Sequence, residues 1–259
     1  MSVHKQAFMS LFKETARYHH RYKVFSDFVT MAGISLHNSV MFDEELEAKY
    51  LRIVAQYEKD DALRMSQLLG EVVLGLEQEP SDFLGSVYME LELGSDGLGQ
   101  YFTPYCVSKM MAELNCGNLT NSLQSKPFIT LSEPACGSGG MIIAYCEAML
   151  NRGFNPQKQL FVSCVDIDEL ACMMAYIQLS LLGIPAEVVH GNTLTLDIYR
   201  SYKTPAYCLG FWEGKLASPI SRSVHALEAV LEPDMESSLE PLVQNIPMLT
   251  VKEQMELFV

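Results

Sequence analysis

Gly137, Gly139 and Gly140 crowd into four residues behind a short apolar run, Asp166 closes a second apolar run, and Asn192 stands just past a third. Each residue type has its own chemistry. Glycines let the backbone turn sharply and let a ligand approach with no Cβ in the way, and the N–H groups of a following helix start lie open. A carboxylate placed like Asp166 accepts hydrogen bonds from the paired hydroxyls of a ribose. The Asn192 amide offers a donor and an acceptor to the exocyclic amine and ring nitrogen of an adenine. Each feature also has a plainer reading: a tight strand-to-helix turn for the glycines, a turn residue for Asp166, an Asx-turn for Asn192. Three of them, in this order on one sheet edge, are far rarer by chance than any one, and together they point to an adenosine-containing ligand.

That edge requires a particular set of elements. Residues 128–132, 160–165 and 186–190 are short apolar runs that read as buried strands, and 141–150 and 168–182 read as helices, the second capped by Asp168. The β-α-β-α-β alternation implies an α/β fold with a parallel sheet, whose ligands bind outside the carboxyl ends of the strands. Thr103-Pro104 reads as the start of a helix carrying Val107, Met110, Met111 and Leu114. Further upstream the pattern is helical throughout. Phe8, Leu11, Phe12, Thr15 and Tyr18 keep helical spacing, as do Phe25, Phe28, Val29 and Ala32, with Gly33 ending or interrupting that second helix. Residues 43–57 and 60–76 give two more, the latter with Leu63, Leu68, Val72 and Leu76 on one side, and Asp82 caps a helix to about Leu93. Residues 93–99 hold three glycines and read as a linker. The division is therefore a helical region over 1–93 and an α/β domain over 94–259, its end helical and acidic, as at 221–231.

Composition removes several classes. With 259 residues, 49% hydrophobic and 19% charged, the chain is neither a disordered tail nor a low-complexity protein, and it is long enough to bury a core without disulfides or structural metal. No apolar run approaches the ~18 residues of a membrane span, and the first residues show no signal-peptide apolar stretch. Seven cysteines with no C-x-x-C pair argue against a zinc ribbon or a secreted scaffold and for the reducing cytoplasm, and no metal site is expected. The net charge of −14 repels DNA on average, so DNA binding requires a local patch or a partner. Lys5, Lys13, Arg17, His19, His20, Arg21 and Lys23 form one basic cluster, for which a solvated helix face is the simpler reading. The glycine stretch is not G-x-G-x-x-G and no phosphate-binding loop is present, which disfavours dinucleotide and triphosphate enzymes.

The stretch Glu133-Pro134-Ala135-Cys136-Gly137-Ser138-Gly139-Gly140, taken with the upstream Gly99-Gln100-Tyr101-Phe102-Thr103-Pro104, resembles the adenine-specific N6 DNA methyltransferases, and among them the modification subunits of type I restriction systems. Residues 82–88 resemble the helical lead-in those subunits place before the second motif. The resemblance spans roughly residues 82–192. It implies a Rossmann-like methyltransferase sheet, abbreviated here, and an S-adenosylmethionine site. Tyr101, Phe102, Thr103 and Pro104 would surround the methionine moiety with Glu133, Ala135, Gly137 and Gly139. Asp166, with Ile167 beside it, would hold the ribose, and Asn192 the adenine, where the family commonly has Asp. It also implies DNA as a partner, met directly or through another subunit, and restriction-modification proteins as companions.

The same resemblance requires an Asn/Asp-Pro-Pro-Tyr/Phe motif after a fourth strand. The lone pair of an adenine N6 amine is delocalised into the ring, and the motif accepts both amine hydrogens so that the pair can attack a methyl group in line. The nearest match is Thr204-Pro205-Ala206-Tyr207, in which Thr204, Pro205 and Tyr207 would form an adapted loop. Residues 198–203 before it are too polar for a buried fourth strand of the usual kind. Only 52 residues follow Tyr207, too few for the closing strands and a target-recognition domain. Trp212 reads as core. Two functions stay open: an adenine N6 DNA methyltransferase or a component of one, and a degenerate methyltransferase-fold protein that binds the cofactor and acts by interaction.

Overall fold

The computed structural model describes residues 2–93 and 102–217. Residues 1–212 form one compact unit, and of the second, from Glu213 onward, the described part is 213–217. The linker read at 93–99 falls, apart from Leu93, outside the described residues, as does the acidic helix read at 221–231.

Five helices open the chain: α1 (Val3–Glu14), α2 (Arg21–Asn38), α3 (Glu44–Val54), α4 (Lys59–Gln78) and α5 (Phe83–Glu90). Their starts follow from capping chemistry. Ser2, Asp43 and Asp82 each accept a hydrogen bond from a first-turn N–H of the helix they precede. Phe8 packs on Phe12, Phe28 and Phe83, and Phe12 on Phe25, all buried. Each such ring contributes roughly 1.5–3 kcal/mol by leaving water. Gly33 does not end α2. The helix runs five residues past it, and a Cβ there would stand 2.7 Å from Met173 Sδ, so the glycine marks close helix packing instead. Leu63, expected on the buried side of α4, is exposed.

The basic cluster disperses into local structure. Arg21 donates to the carbonyls of Phe12, Thr15 and Ala16 and so closes the carboxyl end of α1. Lys5 pairs with Glu90, Lys23 with Asp27 and Arg17 with Glu14.

Downstream come α6 (Tyr105–Asn115), a 3-10 turn at Cys116–Asn118, α7 (Leu119–Ser125), β1 (Ile129–Glu133), α8 (Gly140–Asn151), α9 (Pro156–Gln159), β2 (Leu160–Asp166), α10 (Glu169–Leu181) and β3 (Ala186–Asn192). β1, β2 and β3 are parallel neighbours in that order, with Glu133 opposite Cys164 and Asp166 opposite His190. This is the expected α/β fold, one βαβαβ half of a doubly wound sheet. All residues from Leu170 to Leu179 in α10 are buried. The helix lies between the sheet and the amino-terminal helices, touching β2 and β3 on one side and α2, α4 and α5 on the other.

Residues 198–203 do form a strand, β4 (Asp197–Lys203), but an antiparallel one at the sheet edge. Its polar residues are tolerated because most of them face solvent. Tyr202 alone is fully buried, and Arg200 pairs with Asp43 at 2.5 Å. α11 (Pro205–Leu209) and α12 (Trp212–Ala217) follow. Trp212 is core, as read: it is 1% exposed, stacked on Phe161 and edge-on to Phe128.

Two glycines of α4 give opposite expectations. A Cβ at Gly70 meets nothing within 4 Å, so Gly70→Ala should stabilise the protein by about 0.5–1 kcal/mol through helix propensity. A Cβ at Gly75 would stand 2.4 Å from the buried Phe83 ring, so Gly75→Ala should destabilise by about 1–3 kcal/mol. Urea denaturation of both variants checks the pair; equal shifts in the same direction would contradict this packing.

Candidate functional site

A cavity of about 560 Å³ opens at the carboxyl ends of β1 and β2. That is the size of a typical small-ligand pocket. Its lining combines the turn after β1 (Ala135, Cys136, Gly137, Ser138, Gly140, Met141), the segment after β2 (Asp166, Ile167, Asp168), and Phe102, Thr103 and Ser108 at the start of α6. Tyr22 of α2 and Asp82 complete it.

The turn is built by hydrogen bonds that leave no freedom for a side chain at its bends. Cys136 N–H donates to the Val165 carbonyl and Gly139 N–H to that of Cys136. Gly137 and Gly139 hold φ of 54° and 90°, a region costly for any residue with a Cβ. A Cβ on Gly137 would also come 3.0 Å from the Phe102 ring, so the aromatic rests on bare backbone. Phe102 is held in turn by Tyr88 of α5, edge-on at 5.3 Å.

Asp166 joins the two strand ends. Its Oδ2 accepts from Gly137 N–H at 2.8 Å and its Oδ1 from Asp168 N–H at 3.0 Å. Each carboxylate oxygen keeps a further lone pair toward the cavity for ligand hydroxyls. Asp168 caps α10 through Leu170 N–H at 3.1 Å, as its spacing predicted, and also lines the cavity.

Beneath the turn lies a buried polar knot. Asp82 accepts from Ser138 Oγ at 2.7 Å, from Gln178 Nε2 at 3.0 Å and from Gly85 N–H at 3.0 Å. Gln178, fully buried in α10, also donates to the Ser138 carbonyl at 2.8 Å and accepts from Leu84 N–H at 3.0 Å. Ser108 Oγ, buried in the wall, has no hydrogen-bond partner among the described residues. The hydrogen bond with Cys164, and then burial, push the Cys136 thiol well above the ordinary cysteine range. Burial, with the Asp168 charge as a smaller cause, raises Tyr22 above the usual phenol range.

The sequence-derived residues divide in three. Phe102, Thr103, Ala135, Gly137, Asp166 and Ile167 line the cavity. Tyr101 lies outside the described residues. Pro104, Glu133, Gly139 and Asn192 stand nearby in the backbone without lining it: Pro104 precedes α6, Glu133 Oε1 accepts from Ala135 N–H, and Gly139 packs against Ala175. Asn192 Oδ1 accepts from the N–H groups of Leu194 and Thr195 at 3.0 and 3.3 Å, which is the Asx-turn reading. Tyr22 and Ser108 carry no local signal, since only tertiary packing brings them in. Asp82 was legible as a helix cap, and nothing in its neighbours announces the second task.

Thr204, Pro205 and Tyr207 do not reach this cavity. Thr204 is fully buried, its hydroxyl donating to the Ile184 carbonyl and accepting from Ala186 N–H at 2.9 Å. Ala186 begins β3, so the segment sits at the opposite end of the strand from Asn192, about 20 Å away at ~3.3 Å per residue. Tyr207 is buried against Phe161. The cause is the direction of β4, which carries the chain back to the amino ends of its neighbours.

A βαβαβ sheet with a glycine turn after β1 and an acid after β2, both facing one cavity, defines an α/β protein with a ligand site at its strand ends. Residues 82–207 match the family described as N-6 DNA Methylase. No curated protein matches the sequence. Two solved structures are similar at low identity. One, described as a class I S-adenosylmethionine-dependent methyltransferase from Listeria monocytogenes, is 18% identical with a TM-score of 0.42, over 74% of this chain and 54% of its own. The other, a type I restriction-modification system methyltransferase subunit from Streptococcus thermophilus, is 20% identical with a TM-score of 0.33, over 61% of this chain and 37% of its own. The chain thus spans about half or less of the length of these proteins. Among the described residues no group of acids, histidines and cysteines is arranged to hold a metal ion, and no helix is long and apolar enough to cross a membrane.

The position of Thr204 makes a direct expectation. Thr204→Val removes a buried hydroxyl that bridges Ile184 and Ala186 and should destabilise the protein by about 1–3 kcal/mol in denaturant titration. Ligand affinity at the cavity should be unchanged. A loss of affinity without a loss of stability would return this segment to the site.

Proposed function

We propose that the chain binds S-adenosylmethionine in this cavity and serves adenine N6 methylation of DNA as the cofactor-holding component of a modification system. The observation that carries the reading is Asp166, a carboxylate tied to the glycine turn by Gly137 N–H with lone pairs left for a ribose diol. When bound, the cofactor supplies a methyl group on a positively charged sulfur. The chain's own part is to hold and orient. Asp166 accepts from the ribose hydroxyls, the bare backbone at Gly137 and the Phe102 ring enclose the centre of the ligand, and Thr103 and Ser108 offer hydroxyls to its polar end. The helical region, supplying Tyr22 and Asp82, acts as a wall of the same site, so that 1–93 and the α/β domain work together.

The far position of Thr204 and Tyr207 favours the reading in which this chain binds cofactor and the group that orients the adenine amine is contributed by a partner subunit. The family match supports DNA and restriction-modification proteins as partners.

Titration calorimetry with S-adenosylmethionine tests the site. Binding in the micromolar range is expected, with Asp166→Ala weakening it by roughly tenfold or more through lost ribose hydrogen bonds. Absence of heat with wild-type protein ends the proposal. Transfer of labelled methyl groups to adenine-rich DNA tests the rest. No transfer by the chain alone is expected, and robust transfer by the chain alone would establish a complete enzyme instead.

A further inference from the structure

Among the described residues, the charged side chains in the cavity lining are all acidic: Asp82, Asp166 and Asp168. They are not equivalent. Asp166 and Asp168 are partly open to solvent, where water screens them. Asp82 is 5% exposed, and its three hydrogen-bond donors, Ser138 Oγ, Gln178 Nε2 and Gly85 N–H, are all neutral. Its charge is therefore fixed in place, with no cationic partner among the described residues. A buried anion without a counter-charge is costly, and part of that cost is recovered when a cation enters the space beside it. The carboxylate stands directly under the glycine turn, since a Cβ on Gly140 would lie 3.0 Å from Asp82 Oδ2.

We propose that Asp82 determines the charge preference of this cavity, favouring a sulfonium nucleoside over its neutral thioether product. The inference rests on the cofactor reading above and deepens it. A sulfonium has no N–H or O–H, so no hydrogen bond can recognise its charge. A carboxylate whose near lone pairs are already engaged by the protein, and which acts through its remaining field, suits that task. The same field disfavours nucleotides carrying phosphates. The arrangement binds the methyl donor tightly and releases the product, which has lost the positive charge.

Calorimetry with three ligands reads the effect. Wild-type protein should bind S-adenosylmethionine and the ammonium analogue sinefungin about tenfold or more tighter than S-adenosylhomocysteine. Asp82→Asn keeps the size of the side chain and the Oδ1 acceptor for Gly85 N–H and Gln178 Nε2, with the Ser138 hydroxyl turned to accept from the new amide, and should bring that ratio to within about twofold of unity by weakening the two cationic ligands only. Asp166→Asn and Asp168→Asn should each retain the wild-type ratio while lowering affinity for all three ligands or none. A structural role alone would make Asp82→Asn weaken the three ligands equally, and that result overturns the proposal. Equal wild-type affinities for donor and product overturn it while leaving the cofactor reading intact. Wild-type protein that binds none of the three overturns both. Should Asp82→Asn fail to fold, the ratios of the other two variants decide: loss of the preference in either one moves the role to that residue and overturns the assignment to Asp82.

Discussion

The site depends on a single buried carboxylate. Asp82 begins α5, yet its hydrogen bonds run to the glycine turn through Ser138 and to α10 through Gln178. Three elements far apart in sequence are fixed against one another at a buried point. A polar group in such a place is strongly directional, because any displacement leaves a buried donor or acceptor unmatched at a cost of about 1–3 kcal/mol each. The turn is thus held from below as well as by its own backbone bonds, and the helical region becomes a working part of the cavity. Gly85 and Gly140 fit the same constraint, since a Cβ on either would press into the Asp82 carboxylate.

A second constraint explains what the cavity lacks. A parallel fourth strand beside β3 would need a crossover of about a dozen residues or more. Only residues 193–196 separate β3 from β4, which permits a hairpin and nothing else. The chain therefore returns along β3 and delivers Thr204 to the wrong end of the sheet. There the residue does a structural task, bridging Ile184 and Ala186, and Tyr207 joins Phe161 in the core. Thr204-Pro205 is also a plain helix start, with the threonine capping Tyr207 N–H in α11. Partial similarity to a catalytic motif here reflects a capping sequence.

Much of this was legible in the sequence, and the failures share a cause. Strands and helices of the parallel unit fall within a residue or two of their apolar runs, because β2 and β3 are largely buried on both faces, whereas β1, read as buried, is an edge strand whose Thr130 and Ser132 are exposed. Asp82 and Asp168 were readable as caps because capping is a local interaction. Residues 198–203 form a strand despite their polarity because it lies at the sheet edge, and a polar strand is excluded only from the sheet interior. Gly33 was read as a breaker when its reason is the approach of Met173, which no local pattern encodes. Leu63 kept helical spacing yet faces solvent, since periodicity fixes a face and not what covers it. For the same reason Tyr22 and Ser108 could not be found in the cavity from sequence.

Charge sets the last relation between fold and function. An acidic surface with a net charge of −14 and a cavity lined by three carboxylates raise the local concentration of a cation and lower that of a phosphate. A polyanion such as DNA gains most of its affinity from cationic contacts. In this chain Arg21 caps α1, and Lys5, Arg17 and Lys23 are matched with acids. The charges that favour a cationic ligand in this cavity are thus the ones that keep nucleic acid away. If adenine in DNA is the acceptor, the attraction that brings the duplex to the cavity has to be generated outside these helices. Holding the donor and holding the substrate then fall to different surfaces, and a subunit dedicated to the first has no need of the second.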